Sequence, residues 1–280
     1  MTGVACLEDL WTEPSSGRTF SYRLWKPTSP RVLLILIHGF GEHSGRYQPF
    51  AQALAEQGIC VAAPDLWGHG RSGGKRGDIA NLTQCVTELL TLTTEVFLPA
   101  SSQTQYALFG HSFGGLAALQ WALDHPPNLR CVVAQSPLLE VGFPIPSWKR
   151  VTAVWLARCW PTYSLSMNLD VGALSHDPSV VDAYRADPLV HNAMSTGTYR
   201  SILQTKDLMF AHAGEFQVPM LLLCGAEDRI ISIPEAQRWF EQLTCEKRIV
   251  MFPGCYHELH HEPVRDEVIQ LVREWVLNKP

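Results

Sequence analysis

Gly110-His111-Ser112-Phe113-Gly114-Gly115 lies between an apolar run, Tyr106–Phe109 (YALF), and a run of helix formers, Leu116–Leu123 (LAALQWAL). The first reads as a buried strand and the second as a helix. A serine at so abrupt a strand-to-helix junction has its hydroxyl exposed above a sheet. The tight turn needs small neighbours, here Gly110 before it and Gly114 and Gly115 behind it. G-x-S-x-G alone is common in glycine-serine loops. Its place between strand and helix is what makes Ser112 a candidate nucleophile on an elbow.

Outward from this point, short apolar strands alternate with helical patterns, which predicts an α/β fold: a mostly parallel sheet covered by helices on both faces. The spacing predicts strands at Val32–Ile37, Cys60–Ala63, Tyr106–Phe109, Cys131–Ala134, Met220–Cys224 and Ile249–Phe252, with Thr19–Trp25 as an antiparallel edge strand. Helices are predicted at Tyr47–Gln57, Leu82–Phe97, Leu116–Leu123, Pro234–Leu243 and Val264–Val276. From about Leu138 to Glu215 the rhythm breaks: no strand-like apolar run, frequent prolines, and helix-like stretches at Pro146–Cys159, Val180–Arg185 and Thr198–Ala211. The expected division is therefore a core of residues 1–137 and 216–280 with a helical cap, 138–215, over the carboxyl ends of the strands, where sites form in such sheets.

With 280 residues, 46% of them hydrophobic, the chain is long enough for one large domain with an embedded subdomain. A formal net charge of −5, with no long basic run, excludes a nucleic-acid footprint. The eight cysteines are scattered without a C-x-x-C pair, which fits buried free thiols better than a disulfide framework. The start of the chain lacks the basic and apolar stretches of a signal peptide, and no apolar run approaches the ~20 residues of a membrane span. The expectation is a soluble, cytoplasmic protein that needs no cofactor.

A serine hydroxyl is a poor nucleophile until a base takes its proton, and that base needs an orienting carboxylate. On a strand-turn-helix elbow the chain order is Ser, then Asp or Glu, then His. Asp228, in LLLCGAED, follows a buried strand by a short loop and is the candidate acid; Glu227 is the fallback. Asp170, Asp177, Asp187 and Asp207 fall within the insertion and are poorer candidates. His257, in MFPGCYHELHH, lies just beyond a strand and is the candidate base. Backbone amides for a developing oxyanion are expected from Phe113, after the nucleophile, and from Phe40 in His38-Gly39-Phe40-Gly41.

His257-Glu258-Leu259-His260-His261 also matches H-E-x-x-H, a zinc pattern in which two histidines share one helix face. Gly254 upstream and Pro263 downstream leave too little room for that helix, so no metal site is expected. In the insertion, Pro146–Trp160 (PSWKRVTAVWLARCW) sets Trp148, Val151, Trp155 and Cys159 at helical spacing, interrupted by Lys149, Arg150 and Arg158. Either this face packs on the core and lines an acyl tunnel, or it lies on a membrane surface with the basic residues near phosphates. Tryptophan stripes are more often packed, which favours the first reading.

HGFGEHSGRY (38–47), PDLWGHGRSGG (64–74), GHSFGG (110–115), DPL (187–189) and GCYHELHHE (254–262) resemble the monoacylglycerol lipase and lysophospholipase branch of the α/β-hydrolases. The resemblance runs over nearly the whole chain, and the first block is far more specific than the elbow. It implies hydrolysis of a small-molecule lipid ester through an acyl-enzyme: Ser112 attacks, His257 shuttles the proton and Asp228 holds the imidazole. The same resemblance implies a glycerol-receiving polar end at Glu42, Arg46 and His260, whereas hydrogen bonds that merely pin the loop are an equal reading of Glu42 and Arg46. Rivals are a lysophospholipase or general carboxylesterase, a peptidase of the same fold acting at peptide N-termini, and a non-catalytic lipid-binding protein. The sequence leaves oligomeric state open.

Overall fold

In the computed structural model, which describes residues 3–167 and 169–279, the alternation resolves into ten strands among those residues. They are β1 (Val4–Thr12), β2 (Thr19–Pro27), β3 (Val32–Ile37), β4 (Ile59–Pro64), β5 (Tyr106–His111), β6 (Leu129–Gln135), β7 (Ser164–Ser166), β8 (Ala193–Ser195), β9 (Met220–Gly225) and β10 (Lys247–Phe252). The helices are α1 (Gln48–Glu56), α2 (Leu82–Leu92), α3 (Leu98–Ser101), α4 (Phe113–Leu123), α5 (Ser147–Cys159), α6 (Pro178–Ala186), α7 (Thr196–Ala211), α8 (Ile233–Glu241) and α9 (Arg265–Asn278).

Eight strands form one sheet in the order β1-β2-β4-β3-β5-β6-β9-β10. The β1–β2 and β2–β4 pairs are antiparallel and the rest are parallel. Strand β3 explains why the sheet is buried on both faces. Its side chains alternate: Leu33, Ile35 and Ile37 join an apolar cluster with α2, α4 and α8, while Val32, Leu34 and Leu36 join another with α1 and α9. Burying both sets takes helices on both sides, the arrangement that continuous apolar strands demand. This is the expected α/β-hydrolase architecture.

Three local expectations are corrected. Thr19–Trp25 is not the edge: β1 pairs outside it from Val4 to Thr12. Most of β1 is exposed, so it carries no apolar run to betray it. The helix expected over Leu82–Phe97 ends at Leu92 and passes through a π turn, Thr93–Phe97, into α3. The insertion does contain strands, for β7 and β8 pair as a small antiparallel ribbon.

Between the end of β6 and the start of β9 the chain adds nothing to the large sheet; it supplies α5, α6, α7 and the ribbon. Residues 1, 2, 168 and 280 of the expected core-and-cap division lie outside the described residues. The tryptophan stripe does not pack. Trp148, Val151 and Trp155 are 67%, 68% and 62% exposed, and Trp160 just after the helix is exposed too. Ala157 is the one buried residue of α5, so the packing face of this helix is narrow and the tryptophans point away from it. No helix among the described residues is long and apolar enough to cross a membrane.

Candidate active site

Segments at the carboxyl ends of β3, β5, β6, β9 and β10 meet at one cavity, as expected for sites in parallel sheets. The β5 loop is the elbow. Ser112 has φ 54° and ψ −116°, a strained conformation for a residue with a side chain. Surrounding contacts hold it there: Ser112 N donates to the Gln135 carbonyl at 3.0 Å, and Leu138 N donates to the Ser112 carbonyl at 2.9 Å. Glycine is required at two neighbouring positions. A Cβ on Gly110 would collide with the Gly114 carbonyl, and one on Gly114 with the carbonyls of Ile37 and His38. The close approach at Gly114 also brings α4 against the β3 loop that carries Phe40. Within the run 111–120, Ser112 alone is not fully buried.

Asp228 follows β9 and is held from two sides. Its Oδ1 accepts from Ile230 N at 2.8 Å and Ile231 N at 3.1 Å; its Oδ2 accepts from His257 Nδ1 at 2.7 Å. Both side chains are almost wholly buried. Burial opposes charge on Asp228, but His257 outweighs it and the carboxyl titrates below its ordinary value. For His257 burial likewise opposes the charged ring, the Asp228 carboxylate wins, and the imidazole titrates above its ordinary value of 6.5. A carboxylate that fixes the tautomer and makes the base stronger is what proton abstraction from a serine needs. Glu227, the fallback acid, is exposed.

Ser112 and His257 both line a cavity of about 500 Å³. Its wall is otherwise largely apolar, with Leu138, Leu139, Leu174, Met194, Ile202 and Ile230 among the lining residues. Phe40 lines it too, its ring 5.5 Å from that of Phe113 in an edge-on contact. The backbone around Phe40 is pinned on both sides. Gly39 N donates to Glu42 Oε1 at 2.6 Å, His38 Nδ1 donates to the Gly39 carbonyl at 2.7 Å, and His191 N from the insertion donates to the Gly41 carbonyl at 2.8 Å.

Of the residues expected at a polar end, Glu42 lines the cavity, whereas Arg46 and His260 stand outside its lining. Glu42 Oε1 also accepts from Tyr47 Oη at 2.7 Å, and Oε2 pairs with Arg46. Arg46 makes a two-pronged contact with Glu258, both N–O distances 2.7 Å, and lies 4.7 Å from the Tyr184 ring centroid. His260 stacks on Tyr47 with centroids 4.5 Å apart. Sequence reasoning passes over Glu258, Gln135 and His111. Glu258 sits within the H-E-x-x-H pattern but reads there as part of a false metal signal. Nothing in the sequence ties Gln135 to His111, 24 residues away, or to His260, 125 away.

The helix that pattern requires is absent: Leu259–His261 form a single 3-10 turn, and His257 turns to Asp228 while His261 turns to Glu258. Glu258, His260 and His261 lie close together, yet both Glu258 oxygens already accept from Arg46 and one from His261. The group is closed on a guanidinium.

Known proteins match over almost the full chain. The family described as serine aminopeptidase, S33 (Hydrolase_4) matches residues 28–264. A monoacylglycerol lipase of Mycolicibacterium smegmatis is 32% identical over 267 residues, 94% of each protein. An uncharacterized abhydrolase domain-containing protein of Dictyostelium discoideum is 33% identical over 94% of this chain, which spans 28% of that longer protein. Among solved structures, a monoacylglycerol lipase of Paleococcus ferrophilus superposes with a TM-score of 0.85 at 33% identity, covering 96% of this chain and 98% of the other.

Proposed function

Because this chain belongs to the monoacylglycerol lipase branch of the α/β-hydrolases, within the family described as serine aminopeptidase, S33, we propose that it is a serine hydrolase cleaving monoacylglycerols to fatty acid and glycerol. The observation that carries this reading is the opening of Ser112 and of the Asp228-oriented His257 onto one largely apolar cavity. Ser112 Oγ attacks the ester carbonyl as its proton passes to His257 Nε2. The amides of Phe40 and Phe113 receive the developing oxyanion. His257 then protonates the departing glycerol oxygen, and water, activated by the same imidazole, releases the fatty acid from Ser112. Residues 138–215 act as the cap that closes the acyl site over a core of residues 1–137 and 216–280.

In this reading Glu42 forms the polar end that receives glycerol, with Arg46 fixing its orientation and His260 backing Tyr47. A diol entering an apolar site needs such partners, because unpaired hydroxyls lose their hydrogen bonds to water. The exposed tryptophans of α5, with Lys149 and Arg158, provide transient contact with a membrane surface. Lysophospholipase activity is the second reading, favoured by Lys149, Arg150 and Lys206 in the cavity lining, where Glu140 pairs with two of the three. A peptidase would need a free carboxylate facing the substrate amine; Asp177, Asp182 and Asp187 are absent from that lining, and Glu140, which lies in it, is taken up by Arg150 and Lys206.

The experiment is turnover of a monoacylglycerol, a diacylglycerol, a lysophosphatidylcholine, a short nitrophenyl ester and an aminoacyl naphthylamide by wild type and Ser112→Ala. Preference for the monoacylglycerol, lost in the variant, is the expected result. Turnover of the short ester alone would remove the glycerol assignment. A wild type inert to all five, with Ser112 unlabelled by a phosphonate, would leave a lipid-binding protein.

A further inference from the structure

Four imidazoles stand in a row beside Ser112: His257, His111, His260 and His261, with successive ring centroids 4.6, 5.1 and 4.3 Å apart. The two end rings face anions. His257 Nδ1 meets Asp228, and both nitrogens of His261 face acceptors, Glu258 Oε2 at 2.7 Å and the Arg46 carbonyl at 3.1 Å. The two middle rings are different. His111 and His260 are buried, 2% and 1% exposed, and among the described residues no carboxylate bonds to either. Their Nδ1 atoms share one partner, the side-chain amide nitrogen of Gln135, 3.0 Å from His111 and 2.8 Å from His260. Gln135 ends β6 and is wholly buried.

An amide nitrogen carries two hydrogens and accepts nothing, so each Nδ1 must accept, and each ring keeps its single proton on Nε2. Turning the amide over would present its oxygen to both rings, demand a proton on each Nδ1, and leave two amide hydrogens and a bare His260 Nε2 unpaired, in place of the Gln135 oxygen and the single His260 Nε2–H. We propose that Gln135 is a positioning residue: by donating to both Nδ1 atoms it holds His111 and His260 neutral and leaves His257 to take the Ser112 proton. The proposal rests on the hydrolase reading of Ser112, His257 and Asp228.

The surroundings push both rings the same way, and the amide adds to them the choice of tautomer. Burial, then His257, push His111 down to about 4, and burial, then His261 and His111, hold His260 well below its ordinary value. Against this, Glu42 and Glu258 favour charge on His111, Glu258 favours it on His260, and Arg46 opposes it on both. The field around the two rings is thus mixed in sign. The amide adds a directional constraint, since a proton on either Nδ1 would point at an N–H. A cationic His111 would also stand beside His257 at the moment that ring becomes an imidazolium, opposing proton transfer from Ser112.

Long-range 1H–15N correlation of the histidine rings in the full-length protein tests this, with the pH profile of kcat/KM and phosphonate labelling of Ser112 recorded in parallel. In wild type, His111 and His260 are expected with bare Nδ1 and protonated Nε2, unchanged between mildly acid and mildly alkaline pH. In Gln135→Glu the new carboxylate only accepts, so both rings move a proton to Nδ1 or gain a second one. The expected loss in kcat/KM is about tenfold or more, which corresponds to ~1.4 kcal/mol in the barrier. A protonated Nδ1 on either ring of wild type overturns the proposal. So does a Gln135→Glu protein whose tautomers and pH profile match wild type. Should that variant not fold, the wild-type rings alone decide. Failure of the hydrolase reading is separately visible as unlabelled Ser112 in wild type.

Discussion

On the sheet side of the cavity, Glu42, Arg46, Glu258 and Asp228 are buried and each is held by two or more partners. On the insertion side, Trp148, Val151 and Trp155 stand more than half exposed along a helix that buries Ala157. The first region has fixed its groups before any substrate arrives, which is how charge development in a transition state is met without reorganisation. The second leaves apolar surface in water, which a structure tolerates where the surface meets something else. In the proposed reading, chemistry is built into the core and access into the insertion. That division can be attacked one region at a time.

The largest effects belong to the core. Ser112→Ala should lower kcat by about 10⁶-fold, since loss of a nucleophile costs nearly as much as loss of a whole triad. The fold should survive, because Ser112 is held through its backbone. Asp228→Asn should lower kcat by about 10⁴-fold and also shift the acid limb of kcat/KM. His257 must be neutral to act, and its raised pKa places that limb above pH 6.5 in wild type. Without the anion the burial effect remains, the imidazole pKa falls and the limb moves to lower pH. An acid limb that stays in place in Asp228→Asn would show that another group titrates there.

Next in size is the guanidinium. Arg46→Met strands Glu42 and Glu258 together below the surface, and losing one partner of a buried pair costs about 3–5 kcal/mol. The pH dependence follows from sign. In wild type, burial is the largest single influence and raises both carboxyls, but Arg46 and the neighbouring imidazoles together outweigh it and both titrate below their ordinary value. Their contribution is therefore present above the ordinary carboxylate range and is lost as pH falls below that range, through the depressed folded-state values. In the variant the carboxylates repel and one takes up a proton on folding, so its stability falls as pH rises. Urea unfolding should show the gap from wild type narrowing as pH drops. An equal gap at both pH values would mean that Arg46 acts by packing alone.

These two regions were also unequally legible in the sequence. Ser112, Asp228 and His257 each follow an apolar run that buries a strand, so their positions could be placed from pattern alone. Strand β1 could not, because it is mostly exposed and its nine register pairs with β2 run through backbone. Nor could β7 and β8, three residues each and serine-rich. The Arg46–Glu258 contact joins residues 212 apart, a separation over which one sequence carries no pairing signal. The stripe on α5 was visible as a stripe. Periodicity gives the angle between side chains but not the direction in which the helix turns them, and tertiary packing turned them outward.

The smallest effect, and the one that tests the insertion directly, is expected from Trp148→Ser combined with Trp155→Ser. Neither residue lines the cavity. Turnover of a short soluble ester should therefore match wild type. Turnover of a monoacylglycerol presented in vesicles should fall by about tenfold, as two interfacial tryptophans leave the bilayer boundary. Lys149 lies beside Trp148 on the same helix, its ammonium 5.7 Å from the indole centroid, so anionic vesicles should show the larger absolute rate in wild type. An equal loss on soluble and vesicle substrates would mean that the stripe shapes the cavity rather than docking it, and the contrast between a fixed core and an outward-facing insertion would have to be drawn elsewhere.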